Sequence, residues 1–598
     1  MSQSAYIRLG GGIDLVTPPE QLSPGAAIYA VNYECPISGG YRRIEGYAQL
    51  GPAVPGEGPV LGVVTFNDKV YAVRKDVGAD SATLYVLNTG TDSWDVVGTS
   101  GALHNGRHEF VEGNVKGLDK DRALYGVGGG KPFQLMAEQP GAQTFEGLVE
   151  LTAYFKGSPP EGVTYRADND TLTLSDEDGR TINGVEVQDK SGTTLSTEPD
   201  TAAGGDNGTE VAIDFTGIDV NNVGHVLFTV GSEPATTLTI PELADPFTEI
   251  TAAQAGATFI ALHSNHLFLG YEQGSVQHSD LGNPVAFNAA TGGAAEIAVG
   301  QALTGLLSGT GGALHFICRD SVKTLYGTSA ADWQLKTTVP NSGGRPYSAQ
   351  SLVQPYFIAE RGIASLEATN AYGDFRPMQP GAKVEPLFTA DGYASRVVAS
   401  AVSKSAAQYR VWFDDATGIY MSPTGITRVQ YPAQVAVAHT GELSSGAEQI
   451  LFGDDAGNVY RLDNGATSFN GADIEAFLTL AYNDLESPNI RKRFRRVFWD
   501  VRSGSNANIA IQPDLDYGGT ETARQRRAFI QFLLGGGLWG VDDWNEINWS
   551  VPSLGQEPMD ITGTGVSVNF AIYSKSSSAS HELLGYDVHF DPRRRRRG

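Results

Sequence analysis

Short apolar runs, each followed by a turn rich in Asn, Asp and Gly, recur along most of the chain. Each unit is an apolar run, a tight turn, a second apolar run and a short further strand. Successive units lie about 40 to 55 residues apart, which is the size of a four-stranded propeller blade. The copies that define the repeat are Val60–Val73, Thr258–Gly270, Leu303–Ile317, Pro355–Leu366, Tyr409–Met421 and Gln449–Leu462.

The repeat predicts a ring of small antiparallel sheets. Each such sheet has two apolar faces, and only a neighbouring sheet on each side can cover both of them. The connections Phe66–Asp68, Asp414–Gly418 and Gly453–Gly457 carry the Asn, Asp and Gly residues that hairpin turns require. We therefore predict an all-β protein built around a β-propeller.

Two stretches depart from the repeat. Residues 148–245 hold short alternating runs such as Thr171–Leu174 and Val226–Val230 around the polar linker Thr197–Gly208, which predicts a small inserted β-sandwich. Near the end, Asp473–Tyr482 alternates apolar and polar residues, which indicates a strand with one buried face in a C-terminal antiparallel β-sandwich. The predicted domains are an N-terminal entry arm 1–50, a propeller in two parts 51–147 and 246–470, the insertion 148–245, and a C-terminal β-domain 471–598 with a basic tail.

Composition agrees with this division. A chain of 598 residues needs several domains, and its 73 glycines suit a protein with many tight turns. Two cysteines, Cys35 and Cys318, exclude a disulfide framework and a Cys-based zinc site; they could pair, but buried free thiols are favoured. The sequence shows no secretory signal, and no apolar run reaches the roughly 18 residues of a membrane-spanning helix, so no membrane insertion is expected.

Charge is distributed unevenly along the chain. The formal net charge is -26, yet residues 481–598 hold 15 Lys and Arg against 14 Asp and Glu, which leaves 27 against 54 in the first 480 residues. A surface with this excess of negative charge repels a phosphate backbone. The acidic body is therefore no nucleic-acid-binding surface, although DNA could slide past it without being held.

Basic clusters all lie late in the sequence, at Arg491–Arg496, Arg524–Arg527 and Arg593–Arg597. Such runs can be solvated faces, contacts with an acidic neighbouring subunit, or sites of direct DNA contact. Whether the terminal run meets DNA or protein stays open. The residues predicted as candidates for a subunit interface are Arg491, Arg493, Arg495 and Arg496.

The familiar catalytic motifs fail. The chain has no Gly-x-Ser-x-Gly elbow and no His-Glu-x-x-His pair. Gly126–Lys131 superficially resembles a phosphate-binding loop, but it is one residue short between its outer glycines and is followed by Pro132, so a turn is favoured. We predict no catalytic residue, no cofactor-binding residue and no metal ligand.

Carboxylate and aromatic groupings have equally simple explanations. Asp168–Asp170 and Asp176–Gly179 suggest calcium loops, but neither continues to a bidentate Glu. The carboxylate pairs Asp454 with Asp455 and Asp542 with Asp543 could serve a glycosidase, although turn carboxylates fit better. The closely spaced Trp539, Trp544 and Trp549 could form a sugar platform or pack a sandwich corner.

Three segments stand in a distinctive order and spacing. The first runs from Gly10 to Tyr47, with its Gly-Gly-hydrophobic start and its Tyr-Arg-Arg-hydrophobic-x-Gly-Tyr turn. The second runs from Ser279 to Gly293 and is followed by Gly311–Gly327 and Ala331–Leu335. The third is Gly457–Asp463, which leads to Ser487–Arg496. By their order and spacing the three segments together resemble the tail nozzle proteins of short-tailed bacteriophages.

The resemblance implies a structural virion protein without enzymatic activity, assembled in the host cytoplasm. It would form a homo-oligomeric ring, most simply a hexamer, below the tail adaptor protein. That ring would conduct viral DNA during genome ejection without sequence-specific binding and would support tail fibres or spikes. The alternative is a receptor- or carbohydrate-binding tail protein of the tailspike or lectin type, with or without depolymerase activity. A spike would show a shorter β-helix repeat, which the sequence lacks.

Overall fold

The structure is a computed structural model of the chain, and it falls into two compact units. Unit 1 comprises Met1–Val111, Gly126–Pro132 and Thr251–Gly598, and unit 2 comprises Glu112–Tyr125 and Phe133–Ile250. The structure describes residues 3–98, 100–115, 122–136, 163–168, 171–176, 178–189, 194–196, 210–214, 223–231, 236–239, 247–287, 294–309, 312–327, 332–368, 375–503, 507–518, 528–532, 554–578 and 580–595.

Strands dominate the described residues. The first are β1 Gln3–Arg8, β2 Ala27–Val31, β3 Tyr33–Glu34, β4 Tyr41–Arg43, β5 Tyr47–Gln49, β6 Glu57–Phe66, β7 Lys69–Lys75, β8 Ser81–Asn88, β9 Ser93–Val96, β10 Leu103–His104, β11 Glu109–Gly113, β12 Ala123–Val127, β13 Phe133–Met136, β14 Val163–Asp168, β15 Thr171–Asp176, β16 Ile182–Asp189, β17 Thr194–Ser196, β18 Glu210–Asp214, β19 Val223–Val230, β20 Thr236–Thr239 and β21 Phe247–Glu249.

The remaining strands all belong to unit 1. They are β22 Phe259–His263, β23 His266–Tyr271, β24 Ser275–His278, β25 Ala295–Ala298, β26 Leu303–Ser308, β27 Leu314–Cys318, β28 Val322–Tyr326, β29 Gln334–Val339, β30 Gln350–Ser351, β31 Pro355–Ala359, β32 Gly362–Ala368, β33 Phe375–Met378, β34 Val397–Ser403, β35 Gln408–Phe413, β36 Thr417–Ser422, β37 Gly425–Gln430, β38 Val435–Glu442, β39 Glu448–Asp454, β40 Val459–Leu462, β41 Ile474–Leu480, β42 Ile490–Ser503, β43 Ala507–Leu515, β44 Ala528–Phe532, β45 Leu554–Gly565, β46 Val568–Ser576 and β47 His581–Arg595.

Helices are short in the described part of the chain. Single 3-10 turns occupy Pro19–Gln21, Ala382–Val384, Tyr393–Arg396 and Asp516–Gly518, and one α-helix spans Glu385–Thr389. None of the helices among the described residues is long and apolar enough to cross a membrane. The prediction of an all-β protein is confirmed.

Consecutive meanders in unit 1 have the topology of propeller blades. They are the sheets β6 to β10, β22 to β25, β26 to β29, β30 to β33, β34 to β37, and β38 to β40 with β5. First strands of successive sheets pack on one another, β22 on β26, β26 on β30, β30 on β34, β34 on β38 and β38 on β6. This arrangement confirms the propeller, and the sequence repeats Val60–Val73 and Thr258–Gly270 fall on its hairpins.

Hairpin turns follow the residue types that predicted them. Asn67 and Asp68 between β6 and β7, and Ser264 and Asn265 between β22 and β23, all adopt positive φ angles of 48° to 60°. Two consecutive residues of this kind make the turn whose twist matches that of the flanking strands.

The last blade is completed by the N-terminal segment. β5 pairs antiparallel with β40, with Tyr47 opposite Leu462. The Gly46 amide donates to the Ala466 carbonyl over 2.7 Å. A Cβ at Gly46 would lie 1.8 Å from the Ser468 carbonyl oxygen, so only glycine permits this approach. A strand from the start of the chain therefore closes a sheet formed more than 400 residues later.

N-terminal strands also enter the C-terminal sheets. β2 lies between β37 and β41 in a nine-stranded sheet, β34-β35-β36-β37-β2-β41-β46-β43-β44, which joins a propeller blade to the C-terminal domain. The facing sheet runs β3-β4-β47-β42-β45, and β1 also pairs with β47. Apolar side chains between the sheets, including Trp499, Phe570 and Tyr586, form one core with Ala30 and Tyr33. The sequence pattern assigned residues 1–50 to a separate arm and did not show this pairing.

Among the described residues, two small sheets lie wholly within unit 2. One has the order β14-β15-β18 and the other β17-β16-β19-β20, while β13 and β21 belong to the four-stranded sheet β11-β12-β13-β21. Buried apolar residues include Leu174, Ile182, Val187, Ile213 and Val226. The alternating runs Thr171–Leu174 and Val226–Val230 thus form strands, and the inserted domain with its bounds 148–245 stays a prediction.

Tyr47 is the residue on which we expect blade closure to depend most. It is 2% exposed, and its ring contacts those of Tyr431, Phe452, Tyr460 and Phe469 at centroid distances of 5.4, 5.0, 4.9 and 5.1 Å. Tyr47→Ala should lower the free energy of unfolding by about 3–5 kcal/mol in urea denaturation, because it leaves a cavity among four rings.

Tyr29→Ala is the matched control, since Tyr29 on β2 is 46% exposed. It should cost less than about 1 kcal/mol. Equal losses for the two variants would contradict the role given to Tyr47.

Candidate functional site

The predicted interface arginines lie on β42. Along this strand Lys492 and Phe494 point into the core, while Arg493, Arg495 and Arg496 are exposed. The register shifts between Phe494 and Arg496 against both neighbouring strands. This β-bulge places two consecutive arginines on one face, which strict alternation would forbid. Arg491 is half-buried on the same strand.

Two of the four arginines have partners within the chain. Arg495 Nη2 lies 2.6 Å from Asp591 Oδ2, and Arg496 Nε lies 2.8 Å from Asp560 Oδ1. The hydrogen bond from Arg495 lowers the pKa of Asp591. Exposed pairs of this kind contribute about 0–1 kcal/mol each. They neutralise part of the basic face.

Arg491 and Arg493 differ from them. Neither takes part in an ion pair between residues that the structure describes. Lys492, between the two, is buried and donates from Nζ to the carbonyls of Ser487, Ile490 and Val566 at 2.8, 3.2 and 2.9 Å. Loss of hydration lowers the pKa of Lys492. The cluster thus divides into a structural lysine, two neutralised arginines and two arginines available to a partner.

Several other sequence candidates lie outside the described residues. These are Arg524–Arg527, Arg596 and Arg597, the tryptophans Trp539, Trp544 and Trp549, and the pair Asp542 and Asp543. Of the first calcium-like loop, Asp168–Asp170, the structure describes only the backbone of Asp168. Arg593 is described and is exposed at the end of β47.

Two motifs tested in the sequence have structural roles. Lys131, at the end of the glycine-rich loop, donates to the carbonyls of Thr251 and Ala253 at 3.0 and 2.7 Å, and a Cβ at Gly128 would strike the ring of His108. Asp454 Oδ1 accepts from the amides of Ala456 and Asn458 at 3.0 and 2.7 Å. Both are turns, as the sequence indicated.

The cysteines Cys35 and Cys318 are buried free thiols. Burial raises the pKa of Cys35 to about 12 and that of Cys318 to about 11. A thiol with such a pKa is not nucleophilic at neutral pH.

A cavity of about 220 Å³ lies where first strands of the blades converge, and the sequence did not reveal it. It is lined by residues of unit 1 that are widely separated in the chain: Val63, Arg107, His108, Glu109, Phe110, Tyr347, Ala349, Gln350, Ser400, Val437, Ala438, His439 and Thr440. No local pattern connects residues 107–110 with residues 437–440, so composition and spacing carried no signal for it.

Arg107 holds the wall of this cavity together. Its guanidinium lies 3.8 Å from the ring centroid of Tyr347, and Nη1 donates to the Ala436 carbonyl over 3.0 Å and to the Val398 carbonyl. One side chain therefore joins β34 and the entry of β38 to the segment before β11. We interpret Arg107 as a structural cation.

The remaining titratable groups of the cavity favour their neutral forms. Burial raises the pKa of Glu109 to about 7 and lowers the pKa of His108 and of His439 to about 4 each. Arg107 acts against the shift of Glu109 but does not cancel it. The described residues contain no group of three His, Cys, Asp or Glu side chains that could hold a metal ion. The cavity can hold water or a small polar molecule, and two hydroxyls that line it donate to carbonyls, Ser400 to Tyr347 over 2.7 Å and Thr440 to Val402 over 2.7 Å.

No family model matches the chain, and no curated protein matches it. Solved structures that it resembles include a catalytically inactive virginiamycin B lyase from Staphylococcus aureus with quinupristin, at 10% identity over 70% of this chain and 98% of that one, with a TM-score of 0.30. The WD40 β-propeller domain of Doa1 is 11% identical over 70% of this chain and 97% of that one, with a TM-score of 0.32. BBS1N in complex with ARL6DN is 10% identical over 69% of this chain and 97% of that one, with a TM-score of 0.32. The propeller assignment rests on this chain's own sheet topology.

Glu109 predicts a pH-dependent stability. Because the folded pKa is about 7 and the ordinary value is 4.5, stability should fall as the pH rises from about 4.5 to 7 and stay reduced above that. Glu109→Gln removes this loss. Thermal or urea unfolding should show the variant more stable than wild type at pH 8, by about 1–3 kcal/mol, with the difference vanishing near pH 4.

Glu360→Gln is the control, since the Glu360 side chain is 80% exposed. Its difference from wild type should be small at every pH. A Glu109→Gln difference that does not change with pH would show that the pKa of Glu109 is the same in the folded and the unfolded protein.

Proposed function

We propose that the protein is a structural component of a bacteriophage tail, a ring-forming nozzle that conducts the genome during ejection and supports host-attachment fibres. The resemblance of three segments to tail nozzle proteins is the origin of this proposal. The partners are further copies of the chain, the tail adaptor, tail fibres or spikes, and DNA in transit, and the place of action is the virion tail.

One structural observation carries the proposal. The first and third resembling segments, far apart in sequence, lie side by side in the structure. β5 begins at the end of the first segment and pairs with β40 of the third, where Tyr47 lies opposite Leu462. The two sequence similarities support each other, because the segments that carry them pair in one sheet of the structure and therefore belong to one structural module.

The charge distribution supports the same function. Residues 1–480 hold twice as many acidic as basic side chains, so a channel lined by this surface would not retain DNA. Arg491 and Arg493 project from the nearly neutral C-terminal domain. Basic residues on one copy and acidic residues on the next give a head-to-tail contact, which closes into a ring when the rotation between copies is suitable.

The assembly state tests this function directly. Light scattering and negative-stain images of the purified 63.5 kDa chain should show a closed ring, with six copies as the simplest expectation. A trimer would favour a spike, and a persistent monomer would favour a lectin-type propeller. The receptor-binding alternative gains no support from the described residues, because the three clustered tryptophans lie outside them.

Absence of catalysis is a second expectation. Incubation with a panel of capsular polysaccharides and peptidoglycan should release no products. Specific hydrolysis that is lost on replacing one Asp or Glu would instead support the depolymerase alternative.

Charge reversal on β42 should weaken assembly and leave folding nearly unchanged. Arg493→Glu, which breaks no ion pair between described residues, should raise the concentration for half-assembly several-fold at low salt, with a smaller effect at high salt. Reversing Arg493, Arg495 and Arg496 together should have a larger effect. Thermal unfolding of the single variant should stay close to that of wild type.

Arg319→Glu is the control, because Arg319 is exposed in the turn between β27 and β28 and the change in net charge is the same. If both single variants assemble as wild type does, while the triple variant loses binding to duplex DNA, the basic face contacts DNA and not a neighbouring subunit.

A further inference from the structure

Strand β1 occupies one edge of β47 in the C-terminal sheet. Its six residues pair antiparallel with Gly585–Phe590, so that Ser4 lies opposite His589 and Tyr6 opposite Asp587. The other edge of β47 is occupied by β42. Removing β1 would leave the backbone of Gly585–Phe590 open, and an open edge is a template for a strand of the same sequence.

Few side chains hold β1 in place. Ala5 and Ile7 pack partly buried against the core. Tyr6 is 54% exposed, and its hydroxyl reaches Asp500 on β42 across Gly585. A Cβ at Gly585 would lie 2.4 Å from Tyr6 Oη, so the Tyr6 side chain can lie over this position only because residue 585 is a glycine. Leu9, directly after the strand, is 2% exposed in the core and its amide donates to the Leu584 carbonyl over 3.0 Å, so Leu9 has to move together with β1.

Glycines after β1 form a pivot with one fixed end. Gly10, Gly11 and Gly12 have φ angles of 140°, 95° and 69°. A Cβ at Gly12 would lie 2.3 Å from the Ile426 nitrogen, so Gly12 packs tightly against the backbone of β37 in the same chain. At Gly10 and Gly11 the nearest atoms are 3.7 and 3.9 Å from such a Cβ, which is ordinary contact. The backbone before Gly12 can change direction while Gly12 stays in place once two bonds of Gly10 break, from its amide to the Gly25 carbonyl over 3.2 Å and from Tyr41 Oη to its carbonyl over 3.3 Å.

We infer that β1 is exchanged between neighbouring copies in the assembled ring, each copy placing its residues 3–8 on the β47 edge of the next. This inference rests on the proposed function, since it needs a ring of identical chains. Exchange keeps every contact of β1, including those of Tyr6 with Gly585 and Asp500. The exchanged and closed forms therefore differ only in the pivot and in the new contacts between copies.

The occupant is a second copy because the seat fits this sequence. Ala5 and Ile7 face the core, and Tyr6 requires a residue without a side chain at Gly585, beneath its ring, and an acceptor at Asp500 on β42. Arg493 lies opposite Asp591, one position beyond the end of the β1 ladder. An exchanged strand would bring the acidic body of the donor close to this basic face, which agrees with the interface predicted from the sequence.

Thiol-specific cross-linking distinguishes the two arrangements. The double variant Ser4→Cys with His589→Cys is assembled, treated with a short bis-maleimide and separated on a denaturing gel. The native Cys35 and Cys318 are buried, and each single variant controls for them. Tyr6→Cys with Asp587→Cys provides a second cross-strand pair.

The inference predicts a ladder of covalent oligomers from rings of the double variant. It also predicts covalent dimers when the two single variants are mixed before assembly. Rings that yield only cross-linked monomers would overturn the exchange and leave the proposed function intact. A protein that remains monomeric and cross-links only within the chain would contradict both.

Discussion

The pairing of β5 with β40 is the interaction on which the rest of unit 1 depends. A propeller blade made only of β38, β39 and β40 would expose a backbone edge and half of an apolar face. β5 covers that edge and inserts Tyr47 among four aromatic rings. Because the same N-terminal segment supplies β2 to the nine-stranded sheet, closing the blade also fixes the C-terminal domain to the propeller.

A buried polar network makes this closure specific. Arg410 is 1% exposed, lies 2.6 Å from Asp463 and stacks on Tyr420 at 4.2 Å. Gln408 on the same strand donates to Glu34 over 2.7 Å. A buried charge that loses its partner is strongly destabilising, so only the native arrangement of β3, β35 and the segment after β40 gives Arg410 its carboxylate and Gln408 its acceptor. We interpret the network as a device that selects the correct pairing more than one that adds stability.

Local pattern predicted the fold class, the hairpins and the two departures from the repeat. Thr258–Gly270 became a hairpin because its apolar runs and its Ser-Asn turn are consistent within a few residues. The pairing partners of β1, β2 and β5 could not be predicted, because strands pair through their backbones. A three-residue strand such as β5 has no side-chain pattern that identifies a partner 400 residues away. The basic cluster was visible as a run, but the bulge at Arg495 and the ion pairs to Asp560 and Asp591 were not.

The cavity could not be predicted from the sequence for the same reason. Its residues come from several strands whose positions around the ring are fixed only after folding, so no spacing rule could collect them. Glu109 follows an arginine by two residues, which in sequence resembles an ordinary exposed pair. In the structure Arg107 is committed to Tyr347 and two carbonyls, and burial of Glu109 raises its pKa to about 7.

Amide hydrogen exchange of β5 tests the central claim most directly. If this strand closes the propeller and joins it to the C-terminal domain, the β5 amides that bond to β40 should exchange only through global unfolding of unit 1, with the same free energy as the amides of β39. Exchange of β5 at a much lower free energy, with β39 still protected, would show that the strand opens independently and would contradict the account.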